Sequence, residues 1–269
     1  MKPGWLTKYL LQFSVVCMGF TMSLPEVIQT GKTGFVITFA SIFFTLFVGM
    51  FLTKMFRVES ITGQLISGGT AICGGSAIAA FGPVLNAKQE QMSFALAVIF
   101  VLNAVGLFIF PVIGHWLKMS QVHFGYWAAI AIHDTSSVVG ACETYGAEAL
   151  QIGTTVKLTR TLWIIPVALL LAVYNKNSTA KISVPWFILF FVLAILVGNY
   201  APDYISGMKE TNLHLGWLGK KGMMISLFFI GSSIKIENVK KTGPNAFALG
   251  ITLWVAIAVA TLLWIKYMF

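Results

Sequence analysis

Hydrophobic residues in this chain come in long runs, with polar residues in short joints between them. Runs of roughly 17–25 residues with little charge are long enough to cross about 30 Å of hydrocarbon as helices. Nine such runs can be read, at approximately 9–25, 33–53, 60–84, 92–117, 124–145, 148–174, 182–202, 215–235 and 244–266. The fifth, sixth and eighth carry or abut charge, and joints such as 54–59, 176–181 and 203–210 separate the runs. Lipid offers no partner to a bare peptide group, so runs of this length imply α-helices. Trp116, Trp186, Trp264, Tyr174, Tyr200 and Tyr267 fall near run ends, where interfacial aromatics belong. The pattern predicts an all-α, polytopic transmembrane helical bundle forming one domain over 1–269.

Composition agrees with that pattern and narrows it. Of 269 residues, 57% are hydrophobic and 10% charged, and the mean hydropathy is +0.84. Soluble domains carry about 25% charged residues, so this chain lacks a water-facing surface. Its net charge of +9 does not point to nucleic acid, because the basic residues stand singly between apolar runs, as loop charges do. Cys17, Cys73 and Cys142 lie inside apolar runs without ligand spacing, which argues against a disulfide framework or a metal site. Lys2 and Lys8 before an apolar run could open a signal peptide, but no small-x-small cleavage site follows Leu24. The first run therefore reads as a span.

Three places depart from plain lipid-facing helix. The first is GQLISGGTAICGGSAI (63–78), where Gly68-Gly69 and Gly74-Gly75 invite a break that would free backbone groups to hold a small ion. The plainer reading is close helix packing through small residues. The second is AAIAIHDTSSVVGA (128–141), with five polar residues from His133 to Ser137 inside an apolar run. An ionised carboxylate at mid-bilayer costs about 2.5 kcal/mol or more, so Asp134 must be solvated, paired or protonated. Alternatively, this stretch forms a short surface loop. The third is Lys157-Leu158-Thr159-Arg160, whose two cations share one helix face. Buried, they need acids or an anionic substrate as partners, and Asp134 is the nearest internal candidate. Otherwise both snorkel to the interface and the helix begins near Thr159. Asn103, alone in its run, reads as interhelical glue, and Pro111 and Pro166 as kinks.

A faint repeat accompanies these features. Residues 19–31 (GFTMSLPEVIQTG) match 231–243 (GSSIKIENVKKTG) at four positions, and the two interrupted segments align at Ile72/Ile132, Ser76/Ser136 and Ala80/Gly140. Inverted repeats with discontinuous helices are a common plan of secondary transporters.

The blocks CGGSAI (73–78), IHDTSS (132–137) and VKLTR (156–160) resemble the signatures of the YeiH-type family, bacterial inner-membrane proteins described as sulfate exporters. That family is similar in plan to the bile-acid and sodium symporters, which implies an inverted-repeat bundle with helices unwound where they cross. The resemblance runs from Gly19 to the C-terminus. Relatives usually carry further hydrophobic segments before Gly19, one resembling 184–199, so this chain reads as N-terminally short.

The resemblance implies a multi-pass inner-membrane secondary carrier of a small inorganic or organic anion, sulfate or sulfonate-like, and not an enzyme. Lys157 and Arg160 would hold the negative charge. Thr135, Ser136, Ser137 and Thr159 would supply hydroxyls, and Gly74, Gly75 and Ser76 would line the unwound backbone. His133 and Asp134 would carry a coupling proton or sodium ion. No resident metal or other cofactor is expected beyond such a sodium near Asp134, and no nucleic acid. Membrane lipid surrounds the chain, with a homodimer as one option. A sodium–proton exchanger centred on Asp134 is the main alternative. An intramembrane enzyme using His133 and a serine is remote, because adjacent His133 and Asp134 side chains diverge on a regular helix.

Overall fold

The structure, a computed structural model, describes residues 3–174, 186–232 and 243–268, and the secondary structure there is helical. Each of the nine expected runs contains helix. Among the described residues, four helical stretches are long and apolar enough to cross a membrane by themselves: Leu24–Met55, Gln89–Trp116, Ala147–Leu171 and Pro244–Tyr267. The inverted repeat is not shown. In the proposed pairing of 19–31 with 231–243, residues 233–242 lie outside the described residues.

The chain divides into two compact units, 1–32 with 184–234 and 33–183 with 235–269. In the first unit, α1 (Pro3–Gly19) packs against α10 (Trp186–Tyr200) and α11 (Met208–Ser232). Gly216 and Gly219, on one face of α11, bring that helix close to α1. A Cβ on Gly219 would stand 2.7 Å from the Ser14 carbonyl oxygen, and one on Gly216 would strike the Thr21 side chain. Between membrane helices such small residues let dispersion contacts replace the missing hydrophobic drive.

The turn after α1 is pinned from α10. Asn199 Nδ2 donates to the carbonyls of Met22 and Ile195, each at 2.8 Å, and its Oδ1 accepts from Leu24 N at 3.1 Å. A Cβ on Gly198 would collide with the carbonyl oxygen, carbonyl carbon and Cα of Phe20. These are backbone atoms that cannot swing aside. Gly198→Ala should therefore cost about 1–3 kcal/mol, read as a lower melting temperature in detergent. A melting temperature equal to the wild type would show that the turn yields.

α2 (Leu24–Met55) begins nine residues before the expected second run. Pro25 suits the first helical turn, where its missing N–H has no partner to lose, and Glu26 complements the helix dipole there.

The second unit holds the rest of α2 and the elements that build the site. The run 60–84 is two helices, α3 (Ser60–Ala71) and α4 (Gly75–Val84). The run 124–145 is likewise two, α6 (Gln121–Ala131) and α7 (Thr135–Tyr145). Around them stand α5 (Gln89–Trp116), α8 (Ala147–Leu162), α9 (Ile164–Tyr174) and α12 (Pro244–Met268). Pro166 explains the interruption at Trp163, because its ring would clash with the carbonyl of Leu162 four residues earlier. Pro111 lies within α5 without ending it. The apolar core collects Leu65, Ile66, Ile72, Ile78, Phe81, Val98, Ile99 and Leu253, all buried.

Candidate functional site

Two broken helices meet inside the second unit, and each break has a local cause. At the first, α3 ends with Ile72 and α4 starts from Gly74, whose φ of 62° and ψ of −119° suit glycine and few other residues. At the second, α6 ends with Ile132 in extended conformation (φ −90°, ψ 127°) and α7 starts from Asp134 (φ −103°, ψ 142°). Asp134 is a true N-cap: its Oδ2 accepts from the backbone N–H of Ser136 (3.1 Å) and Ser137 (3.2 Å), and from the Ser136 hydroxyl. The polar run at 133–137 is therefore a helix start placed in the middle of a span. It is no surface loop, since His133, Ser136 and Ser137 are buried.

The breaks fall at the same register, Ile72 with Ile132 at the helix ends and Gly74 with Asp134 at the helix starts, both sixty residues apart. They also touch. A Cβ on Gly74 would stand 3.5 Å from the His133 carbonyl oxygen.

Breaking a helix frees the carbonyls of its last turn, and these must find donors. Lys157 and Arg160 supply most of them. Lys157 Nζ donates to the carbonyls of Ile132 (2.7 Å), Ile72 (3.1 Å) and Ala129 (3.3 Å). Arg160 Nε donates to Ala71 O (2.6 Å), Nη2 to Thr70 O (3.2 Å) and Nη1 to Ile130 O. Trp254 of α12 closes the set, its Nε1 donating to Ala131 O at 3.0 Å. Three carbonyls around one nitrogen call for three donors, which is the ammonium form of Lys157. The negative ends of α3 and α6 thus converge on the two cations.

Both cations are completely buried, and α8 begins well before them, so neither snorkels. The expected pairing with Asp134 is absent: the carboxylate caps α7 while all three Lys157 donors go to carbonyls. Thr159 is not brought in either. Its hydroxyl donates back to Thr155 O at 2.9 Å, and it lies about 200° around the helix from Lys157. Thr135 stands at the start of α7, half-exposed like Asp134, while Gly75 is half-buried and Ser76 exposed at the start of α4.

Asn103 of α5 does more than the sequence suggested. Its Oδ1 accepts from the backbone N–H of both His133 (3.0 Å) and Asp134 (3.2 Å), satisfying the second break. Its Nδ2 meets no partner, and neither do both ring nitrogens of buried His133 or the hydroxyls of Thr70 and Thr154. Among the described residues no group of His, Cys, Asp and Glu could hold a metal ion.

Residues 4–201 match the family model described as Conserved hypothetical protein 698. The chain belongs to that family. It is 49% identical over 262 residues to a UPF0324 membrane protein of Bacteroides thetaiotaomicron, covering 97% of this chain and 78% of that one. It is 50% identical to a counterpart in Photobacterium profundum (96% and 78% covered) and 45% identical to one in Geobacter sulfurreducens (97% and 82% covered). The chain is thus a bacterial membrane protein with several candidate transmembrane helices. These names carry no sulfate-exporter designation. No solved structure matches it.

Proposed function

We propose that this protein is a secondary active transporter of the inner membrane that carries a small anion of sulfate or sulfonate type. The observation that carries this reading is a pair of buried basic side chains inside a candidate span with no carboxylate partner. Lys157 and Arg160 lie within the span 147–171, fully buried, with peptide dipoles and no carboxylate as hydrogen-bond partners. Such a centre draws anions into an otherwise apolar medium. Discontinuous helices are tolerated at membrane depth where they line a path or a site, which supports a carrier. Neither His133 nitrogen meets a serine hydroxyl, which supports a carrier over an enzyme.

Asp134, with His133 beside it, is the coupling group in this reading. The hydrogen bonds to its carboxylate all fall on Oδ2, so Oδ1 stays available to a proton or sodium ion. The same oxygen favours the second reading, a sodium–proton exchanger centred on Asp134. A thermal-shift panel of sulfate, sulfite, organosulfonates, carboxylates and sodium across pH separates the two. At least one anion should raise the melting temperature of the purified protein by several degrees. Stabilisation by sodium with none by any anion would overturn the carrier reading in favour of the exchanger.

A further inference from the structure

The two half-helices that start at the breaks are treated differently. At α7 the N-cap is Asp134, and its carboxylate satisfies the first-turn N–H groups of Ser136 and Ser137. At α4 the equivalent position is Gly74, which has no side chain to offer. The first backbone bond back to that N-cap comes from Ile78 N, to Gly74 O at 3.1 Å. The N–H groups of Gly75, Ser76 and Ala77 therefore have no acceptor among the described residues. An uncapped first turn of a ten-residue helix presents aligned donors and the positive end of its dipole.

A second group points at the same place. With Oδ1 held by two backbone N–H groups, the orientation of the Asn103 amide is settled and Nδ2 is left over. That nitrogen belongs to a residue only 4% exposed, and it has no partner. It lies 3.6 Å from where a Cβ on Gly74 would stand. A buried, unmet carboxamide donor is costly unless something accepts from it. The position that a side chain at Gly74 would fill is thus bordered by Asn103 Nδ2, at the residue that precedes the open start of α4. At this end of α4, Gly75 is half-buried and Ser76 exposed.

We propose that the transported anion binds at the N-terminus of α4, standing where the Asp134 carboxylate stands at α7. One oxygen accepts from Asn103 Nδ2, and the others accept from the backbone N–H groups of Gly75, Ser76 and Ala77. The ligand class is a small oxyanion with two or more acceptor oxygens and no need of a donor: sulfate, a sulfonate or a carboxylate. Lys157 sets the potential of this site without touching the ligand, because its three donors are all engaged by carbonyls, and Arg160 adds its charge from the same helix. This site rests on the anion-carrier reading and gives it an address.

The test is sulfate binding by calorimetry to the full chain in detergent, wild type against Asn103→Asp. The variant keeps an oxygen for His133 N and Asp134 N but replaces the donor by an acceptor. Sulfate affinity should fall at least tenfold, and burial of the new carboxylate should lower the ligand-free melting temperature as well. Should the variant fail to fold, hydrogen exchange on the wild type decides. Saturating sulfate should protect the amides of 75–77 and leave those of 157–160 unchanged. Undiminished affinity in a folded Asn103→Asp, or protection at 157–160 with none at 75–77, overturns this site while leaving the carrier reading standing. A wild type that binds no sulfate, sulfonate or carboxylate overturns both.

Discussion

Arg160→Ala is expected to lower the melting temperature of the detergent-solubilised protein by about 6 °C or more. The change strips donors from three carbonyls at once, those of Ala71, Ile130 and Thr70. A buried carbonyl left unpaired costs about 1–3 kcal/mol, so the loss is roughly 3 kcal/mol or more even after a buried cation is removed. For a protein of this size each kcal/mol is worth about 2–4 °C. The conservative variant tells charge from geometry. Arg160→Lys keeps the positive charge but loses the planar fork that reaches both α3 and α6. It should recover only part of the lost stability. A cation acting simply as an anion-binding charge would behave differently: Arg160→Ala would then weaken ligand binding and leave the ligand-free melting temperature unchanged. Thermal unfolding of both variants, with and without sulfate, makes the distinction.

The breaks are the part of this site that can be read from the chain alone. Gly68-Gly69 and Gly74-Gly75 disfavour continuous helix, and the structure starts α4 from Gly74. Asp134, Ser136 and Ser137 are N-cap residue types, so polar residues that look misplaced in a span are in place at a helix start. The equal spacing of Ile72/Ile132 and Gly74/Asp134 is also visible in the sequence, although it does not by itself reveal a repeat.

What could not be read was the partner of the cations. Sequence reasoning looks for an opposite charge, and Asp134 is the obvious one. The actual acceptors are backbone carbonyls, which every residue carries and no composition marks. They become acceptors only because two helices stop at the same place and turn their last carbonyls towards α8. Asn103 illustrates the same gap. A lone amide in a span signals an interhelical bond, and Oδ1 makes two. The unmet Nδ2 appears only once Gly74 and His133 are brought beside it.

Asp134→Asn should separate coupling from folding. Asparagine is as good an N-cap as aspartate, and its Oδ1 can still accept from Ser136 N and Ser137 N. Stability should therefore change by less than about 1 kcal/mol, whereas Asp134→Ala, which removes the cap, should cost roughly 1–2 kcal/mol. Charge and titration are lost in both variants. In proteoliposomes, sulfate movement driven by a pH or sodium gradient should drop at least tenfold in Asp134→Asn. Exchange of sulfate for sulfate, which needs no net coupling, should persist. Equilibrium affinity for sulfate should hold or rise, because the removed carboxylate caps the half-helix beside the proposed oxyanion position. Full gradient-driven transport in Asp134→Asn would move the coupling site off this residue. The unpartnered ring of His133 would then be the group to test, because it is buried at the same break and accepts from nothing around it. Retained exchange with lost coupling would instead assign the two half-helix starts to different tasks, α4 with Asn103 for the anion and α7 with Asp134 for the driving ion. In that event glycine at one N-cap and aspartate at the other would be the mark of that division in the sequence.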